Sequence, residues 1–225
     1  LNIVRPMILR LMGGTGLTPH HFRVLADFSH KKTKDRREWL LDSPGKRELA
    51  GTRAMLLGYG AIGKLIKPRL EAFGVEVKTV RRSGGEGALT PDEWRGHLGA
   101  YDWVILAVPS TPETDAMIGA DELKAMKSDA VVVNIARGAV IDQEALVEAL
   151  KEKQIGGAFL DVTTPEPLPA DHELWELDNA HITMHLSGRA QDKMFVRSAD
   201  RFLENLQNYL EGKPVAPIFD PRLGY

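Results

Sequence analysis

The sequence predicts an α/β protein built on a doubly wound, mostly parallel sheet. Three observations support this fold class: apolar runs of four to six residues alternate with amphipathic segments, the first of these runs opens into a glycine-spaced turn, and a polar or glycine-containing segment follows each run. Short runs that are apolar throughout are typical of parallel strands covered on both faces. Strands that alternate with helices in this way form open parallel sheets.

The first strand–helix–strand unit spans residues 54–80. An apolar strand at 54–57 leads into glycines with the spacing G-x-G-x-x-G, an amphipathic helix at 64–73 follows, and a second strand covers 75–80. In dinucleotide sites the first glycine permits a tight turn, the second lets the backbone approach a pyrophosphate, and the third lets the helix pack closely on the sheet. The helix N-terminus attracts the phosphates. The unit favours a Rossmann-type nucleotide site over a purely structural turn, with contacts from Gly58, Gly60, Ala61, Ile62 and Gly63.

The remaining elements continue the alternation of strand and helix. Further strands are predicted at 103–108, 130–135, 157–162 and 181–184. Helical segments are predicted at 19–39, from 90 onwards, and at 123–126, 142–153 and 191–210. We therefore predict three regions: an N-terminal remnant of a second lobe with a linking helix (1–44), a nucleotide-binding domain (45–190), and a C-terminal helix with a coil tail (191–225).

Composition narrows the class of protein. Of the 225 residues 43% are hydrophobic and 27% are charged, which is typical of a soluble globular protein. A formal charge of −2 gives no reason to expect nucleic acid or an anionic membrane as partner. The sequence has no cysteine, which excludes disulfides, thiolate catalysis and cysteine-ligated metals, and we predict no metal site. No apolar run has the length of a membrane span, and we expect a cytoplasmic protein that starts inside a longer gene product, because residue 1 is leucine.

Candidate site residues lie where the predicted strands end. Ligands of open parallel sheets bind beyond the carboxyl ends of the strands. The segments at those ends are 58–63, 81–83, 109–114, 136–138, 161–166 and residue 185. We expect them to converge on one site.

The segment after the second strand indicates which dinucleotide binds. NAD sites place an acid about twenty residues beyond the glycines, where it binds the ribose 2′-hydroxyl. Here Arg81, Arg82 and Ser83 take that place. Guanidinium groups and a hydroxyl match the oxygens of a 2′-phosphate. NADP(H) is therefore predicted as the preferred cofactor and NAD(H) as the alternative. The competing interpretation is that these residues form a solvent-facing strand end with no role in binding.

Three further side chains have the chemistry to bind a carboxylate and to deliver a proton. Arg137 ends an apolar strand and can hold a carboxylate through two parallel hydrogen bonds, although an ion pair with Asp142 is an alternative. Glu166 stands between two prolines that restrict its backbone, and His185 follows the last strand. A carboxylate beside an imidazole favours the protonated ring, which can deliver the proton that a hydride reduction requires. A purely structural histidine is the competing interpretation.

Five motifs together resemble the NAD(P)-binding domain of the D-isomer-specific 2-hydroxyacid dehydrogenases. They are GYGAIG at 58–63, LAVPSTPET at 106–114, NIARGAVID at 134–142, GAFLDVTTPEPLP at 157–169 and ITMHLSG at 182–188. The Arg-Arg-Ser strand end and the closing FDPRLGY are similar to the glyoxylate/hydroxypyruvate reductase branch. The resemblance implies an NADPH-dependent homodimeric enzyme that reduces a small 2-keto acid.

The same resemblance implies the roles of individual residues. Arg137 would grip the substrate carboxylate, His185 would be the acid/base, and Glu166 would be its partner. Asp161 would contact the nicotinamide carboxamide. The remaining cofactor contacts implied are Pro109, Thr114, Ala136 and Gly188, with Arg137 and His185 also touching the cofactor.

The sequence departs from the family pattern in three ways. Met184 stands where the family has a proline before the catalytic histidine, and the helix at 19–39 is shorter than the one that helps build the dimer in relatives. There is also no room before Gly51 for the substrate lobe of about a hundred residues. A nucleotide-sensing interaction protein, or a truncated and inactive family member, is therefore the alternative function.

Overall fold

The computed structural model describes residues 48–85, 87–183, 185–188 and 193–218. These residues fall into two units, with the boundary along the chain between 183 and 185, and each unit is described separately. The helix predicted at 19–39 and the remnant predicted at 1–44 lie outside the described residues. The three predicted region boundaries therefore stay predictions.

A single parallel sheet of six strands forms the first unit. Its order is β2-β1-β3-β4-β5-β6, and every neighbouring pair is parallel. The strands are β1 (Arg53–Leu57), β2 (Glu76–Val80), β3 (Trp103–Leu106), β4 (Val131–Asn134), β5 (Gly157–Leu160) and β6 (Ala180–Ile182). The predicted doubly wound parallel fold is confirmed. The chain reverses its direction of winding between β1 and β3, which is where open α/β sheets bind ligands.

The strands end earlier than the sequence predicted. Residues 107–108, 135 and 161–162 were expected in strands but lie in the loops that follow β3, β4 and β5. Val162 is nevertheless buried, with 2% of its surface exposed. Apolar character therefore continues past the last ladder hydrogen bond, because the first residues of these loops still pack into the core.

Helices cover both faces of the sheet. In the first unit they are α1 (Ala61–Ala72), α2 (Ala120–Ala125) and α3 (Gln143–Lys151), with 3₁₀ turns at Trp94–Ala100, Gly138–Val140 and Glu173–Trp175. Side chains of β1 alternate between the two faces: Leu56 lies in a cluster with Leu70 of α1, and Leu57 lies in a second cluster with Leu123 of α2 and Leu146 of α3. Fully burying an aliphatic side chain of this kind contributes about 1.5–3 kcal/mol.

Two predicted helix starts need correction. The first helix begins at Ala61 and not at Lys64, because the helical turn follows Gly60 directly. Residues Thr90–Glu93 form a turn rather than a helical start. The backbone N–H and the hydroxyl of Thr90 both donate to the Glu93 carboxylate, and a 3₁₀ helix then buries Trp94.

The second unit contains α4 (Met194–Leu210), the amphipathic helix that the sequence predicted. Its apolar side chains are exposed, with Phe195 at 77% and Phe202 at 65%. Asn205 binds the backbone of Ala216 in both directions, at 3.0 and 3.1 Å, and so attaches the start of the tail to the helix. None of the helices in the described ranges is both long and apolar enough to cross a membrane.

Candidate functional site

The turn between β1 and α1 has its three glycines for three separate reasons. Gly58 has a φ of +100°, and a Cβ there would overlap the carbonyl oxygen of Ala107 beyond β3. A Cβ on Gly63 would overlap the carbonyl oxygen of Gly58, so this glycine lets the helix approach the turn. Gly60 has no atom within 4 Å of its would-be Cβ. The turn thus leaves open space at the middle glycine, where a phosphate would approach the backbone.

The N-terminus of α1 is suited to an anion. Its N-cap is Gly60, which offers no side-chain hydrogen bond, and its first turn contains no acidic residue. The first N–H groups of a helix have no partner within the helix and carry partial positive charge. Ala61, Ile62 and Gly63 lie in this first turn. Their position fits the predicted pyrophosphate contact.

Arg81 and Ser83 already contact each other at the end of β2. The Nε and Nη2 atoms of Arg81 donate to the Ser83 hydroxyl at 3.1 and 2.8 Å, and both residues are exposed. The charge of Arg82 contributes, after a hydrogen bond from Thr111, to lowering the pKa of the Glu113 carboxyl. The loops after β2 and β3 are therefore neighbours. Arg81 and Ser83 form one exposed group at the end of the strand that pairs with β1, and Arg82, between them in the sequence, is exposed as well.

The loop after β3 is shaped by Thr114. Its hydroxyl donates to the carbonyl oxygen of Pro109 at 2.7 Å and accepts the backbone N–H of Thr111 at 2.9 Å. Both Pro109 and Thr114 are half-buried. The hydroxyl thus closes the loop on itself, and the predicted cofactor contact of these two residues stays a prediction.

Asn134 shapes the loop that carries Arg137. Its side chain is 1% exposed, accepts the backbone N–H of Ala136 at 3.0 Å and donates to the carbonyl oxygen of Arg137 at 2.9 Å. We assigned no role to Asn134 from the sequence. The sequence does show a single polar residue at the end of an apolar strand. At such a position a side-chain amide can bind backbone N–H and C=O groups that no longer have a partner in the neighbouring strand.

Arg137 itself is exposed and is not paired with Asp142. Within the described ranges no ion pair joins the two side chains, because Asp142 accepts the backbone N–H of Ala145 at 3.1 Å as the N-cap of α3. The Nη1 atom of Arg137 donates to the carbonyl oxygen of Ala136 at 2.7 Å. The alternative structural role proposed for Arg137 is therefore not observed.

The loop after β5 lies against the Arg137 loop. A Cβ on Gly138 would overlap the carbonyl oxygen of Thr163 and the hydroxyl of Thr164, so only glycine permits this approach. Gln143 at the start of α3 binds the backbone of Thr164. The contacts bring the loop of Arg137 beside the loop of Glu166, as the positions after β4 and β5 predicted. Gln143 was also missed, since nothing in its sequence position marks a partner 21 residues away.

Asp161 joins the ends of three strands. It is 2% exposed, its backbone N–H donates to the carbonyl oxygen of Asn134 at 2.9 Å, and its carboxylate accepts the hydroxyl of Thr183 beyond β6. A buried carboxylate at this edge has the right chemistry to accept a hydrogen bond from an amide group. Its contact with a nicotinamide carboxamide remains a prediction.

His185 belongs to the second unit. Its φ of 53° lies in the left-handed region, which residues other than glycine seldom adopt and which is found repeatedly at functional sites. Gly188 is exposed and has open space around its Cα, while Met184 lies outside the described residues. The pairing of His185 with Glu166 stays a prediction.

Comparison with known proteins points to one family. Residues 17–187 match the family model of the D-isomer specific 2-hydroxyacid dehydrogenase, NAD binding domain. Glycerate dehydrogenase of Methylorubrum extorquens is 37% identical over 74% of this chain and 52% of its own length, and glyoxylate reductase of Pyrococcus furiosus is 40% identical over 74% and 50%. The chain thus spans about half the length of these curated relatives.

A solved structure agrees with the sequence matches. The D-isomer specific 2-hydroxyacid dehydrogenase of Xanthobacter autotrophicus Py2, in complex with NADPH and MES, superposes with a TM-score of 0.73 at 30% identity, covering 92% of this chain and 88% of the other. The family model covers well over half of the residues. The chain belongs to the D-isomer specific 2-hydroxyacid dehydrogenase family and contains its NAD-binding domain.

Proposed function

We propose that this chain carries out the NADPH-dependent reduction of a small 2-keto acid to the 2-hydroxy acid. One observation carries the proposal: the carboxyl edge of a single sheet presents an anion-accepting glycine turn, an exposed arginine–serine group, and the exposed Arg137, which is not paired with Asp142. The bound dinucleotide would supply the hydride. Relatives named glycerate dehydrogenase and glyoxylate reductase support acids of this small size.

Cofactor preference would depend on Arg81, Arg82 and Ser83. The hydroxyl of Ser83 holds two nitrogen atoms of Arg81, so the guanidinium is partly ordered before any ligand binds. A 2′-phosphate would accept charge-assisted hydrogen bonds from this group, whereas a 2′-hydroxyl would leave the positive charges without a partner. This favours NADPH over NADH, in line with the NADPH complex of the Xanthobacter structure.

Substrate binding and proton delivery would be divided among three residues. Arg137 would hold the substrate carboxylate and polarise the keto oxygen, because its guanidinium is exposed and its loop is fixed by Asn134. His185 would give its proton to the developing alkoxide oxygen, with Glu166 orienting the ring and favouring its protonated form. Asp161 would orient the nicotinamide through its carboxamide.

A second candidate is cofactor binding without turnover. It is supported by the glycine turn and the arginine–serine group, which would serve cofactor binding whether or not an acid is reduced. A nucleotide-sensing domain would need the glycine turn and the arginine–serine group but would not need Arg137.

We further propose a homodimer and a cytoplasmic location, which sedimentation and cell fractionation would test.

Two measurements on the purified chain separate these functions. NADPH binding is followed by the quenching of tryptophan fluorescence, since the chain has four tryptophans. Turnover is followed by loss of NADPH absorbance with glyoxylate, hydroxypyruvate, pyruvate and longer 2-keto acids. We expect binding, together with turnover of the shorter acids. Binding without turnover of any acid would support the sensing function, and absence of binding would contradict both.

A further inference from the structure

We propose that Gln143 is a positioning residue for Glu166, and that it sets the distance between the Glu166 loop and the Arg137 loop. The proposal rests on the proposed function, because it gives Glu166 a catalytic partner. Two hydrogen bonds join the Gln143 side chain, at the start of α3, to the backbone of Thr164 in the loop after β5, and we call this pair of bonds the clamp.

The clamp uses both ends of one side-chain amide. Its Oε1 atom accepts the backbone N–H of Thr164 at 2.9 Å, and its Nε2 atom donates to the carbonyl oxygen of the same residue at 2.5 Å. Two bonds to one residue's backbone fix its direction as well as its distance. They also decide which end of the amide is the oxygen, because the backbone offers one donor and one acceptor.

The residue that forms the clamp is itself held firmly. Gln143 is the first residue of α3, and the preceding Asp142 caps this helix through the N–H of Ala145. The backbone N–H of Asp142 also donates to the carbonyl oxygen of Ile118 at 2.9 Å. The clamp therefore acts from a helix end that is anchored to the core, and a displaced loop cannot easily carry it along.

The clamped residue, Thr164, is two positions before Glu166. Pro165 and Pro167 flank this glutamate and restrict the rotation of the backbone on either side. The hydroxyl of Thr163 donates to the carbonyl oxygen of Pro165 at 2.9 Å, which closes the loop on the other side of Thr164. A movement of Thr164 would therefore pass to Glu166 rather than be absorbed between them.

The opposite side of the loop is held by contact with Gly138. The carbonyl oxygen of Thr163 occupies the space that a side chain at Gly138 would need. Gly138 follows Arg137 directly, so the loop is held between the Arg137 segment and the Gln143 amide.

The first test asks whether the clamp exists in solution. Gln143→Ala removes both bonds, and we expect hydrogen exchange of the Thr164 amide to accelerate at least about five-fold, the effect of losing one ordinary hydrogen bond. Gln154→Ala is the matched control, because its amide binds the exposed Glu152 side chain at 2.7 Å, away from the Glu166 loop. Unchanged exchange at Thr164 in Gln143→Ala would overturn the clamp.

The second test asks whether the clamp acts through Glu166. At one fixed pH, we expect Gln143→Ala to lower kcat about ten-fold, since small misplacements of catalytic groups have effects of this size or larger. KM and the NADPH dissociation constant should stay within about two-fold. In a Glu166→Gln background the same change should lower kcat less than about two-fold, because the side chain being positioned has already lost its charge. Equal effects in the two backgrounds would contradict the positioning role.

A second variant guards against a folding defect. Gln143→Glu keeps the acceptor for the Thr164 N–H but sets a carboxylate oxygen against its carbonyl oxygen, and we expect kcat to fall at least as far as in Gln143→Ala while the midpoint of urea unfolding stays near that of the wild type. A Gln143→Glu variant with wild-type kcat would contradict the two-bond clamp. An inactive wild-type chain would overturn the proposed function, and the positioning role with it, whereas unchanged exchange in an active chain would overturn the clamp alone.

Discussion

The turn after β1 and the paired loops after β4 and β5 lie on the same edge of the sheet but differ in what holds them. The turn is defined by absent side chains: Gly58 and Gly63 allow backbone to touch backbone. The paired loops share one such contact, at Gly138, but also need side chains that are present, with the amides of Asn134 and Gln143 bound to loop backbone. The turn is damaged by adding an atom, whereas the paired loops are also damaged by removing a polar group.

The difference matches the ligand groups that the two regions would bind. A pyrophosphate is recognised by backbone N–H groups and a helix terminus, which need close approach and no side chain. A substrate carboxylate and a migrating proton require side-chain chemistry that is aimed accurately enough to react, and aimed groups need support from neighbours. Substitutions in the two regions should therefore separate cofactor binding from turnover.

The largest separation is expected from Arg137→Ala. We expect turnover to fall about 10³-fold, because under the proposed function the variant loses the group that would hold the substrate carboxylate and stabilise charge at the keto oxygen. NADPH affinity should stay within a few-fold, since the other region is the one proposed to bind the phosphates. Steady-state kinetics and fluorescence titration of the same samples measure both. Parallel losses of affinity and turnover would show that the two regions are not independent.

The next effect compares two glycines of one turn. Gly58→Ala should lower the free energy of unfolding by about 3 kcal/mol, because alanine is strained at a φ of +100° and its Cβ would overlap Ala107. Gly60→Ala should leave stability within about 0.5 kcal/mol, since its Cβ enters open space at a φ of −83°.

NADPH affinity should distinguish Gly60→Ala from the wild type even though stability does not. The added methyl group would stand where the phosphate approaches, and we expect about a ten-fold loss, equivalent to about 1.4 kcal/mol. Urea unfolding and NADPH titration are the two measurements. A Gly60→Ala variant that is destabilised as much as Gly58→Ala would mean that the turn works as one rigid unit without an open middle position.

The sequence could predict the features that depend on local spacing but not those that depend on contacts between distant loops. The glycine spacing is local, and Gly58 and Gly63 meet steric demands that recur in this kind of turn, so the turn, the sheet and the strand-end positions of Arg81 and Arg137 were predicted correctly. The strand ends were misjudged, because buried residues such as Val162 continue beyond the ladder. Gln143 was missed because its partner is 21 residues away and depends on how two loops happen to meet.

An effect of similar size on NADPH affinity concerns the arginine–serine group beside the turn. Arg81→Ala should reduce NADPH affinity about ten- to thirty-fold, the value of a charge-assisted phosphate contact of about 1.5–2 kcal/mol, and should change NADH affinity less than about two-fold. Arg69→Ala is the control, because it removes an arginine from the far end of α1, where Nη1 donates to the carbonyl oxygen of Leu65 at 2.6 Å. Equal losses for NADPH and NADH would remove the cofactor preference.

The smallest effect tests the border between the two regions, where the loop after β3 carries Glu113. A hydrogen bond from Thr111 and, to a lesser degree, the charge of Arg82 lower the pKa of this carboxyl. A lowered pKa keeps the group negative to a lower pH than usual. Glu113 is therefore ionised throughout the range from about pH 6 to 8, and we expect it to compete weakly with a bound 2′-phosphate for Arg82.

Replacing Glu113 should consequently strengthen NADPH binding. Glu113→Gln keeps an acceptor for Thr111 and removes the negative charge, and we expect affinity for NADPH to rise about two-fold, the modest scale of exposed, screened charges. The gain should be the same across this pH range and should shrink as salt is added. Affinity for NADH, which lacks the 2′-phosphate, should change less.

Glu93→Gln provides the matched control for this variant. Glu93 also has a lowered pKa, caused first by hydrogen bonds from Thr90 and then by His97 and Lys78, and its replacement changes the net charge by the same amount. Neither Arg81 nor Arg82 is among the causes of that shift, so the NADPH affinity of Glu93→Gln should match that of the wild type. An equal gain in both variants would reflect the overall charge of the protein. A gain in Glu113→Gln alone would show that the loop after β3 already limits how strongly the arginine pair holds a phosphate.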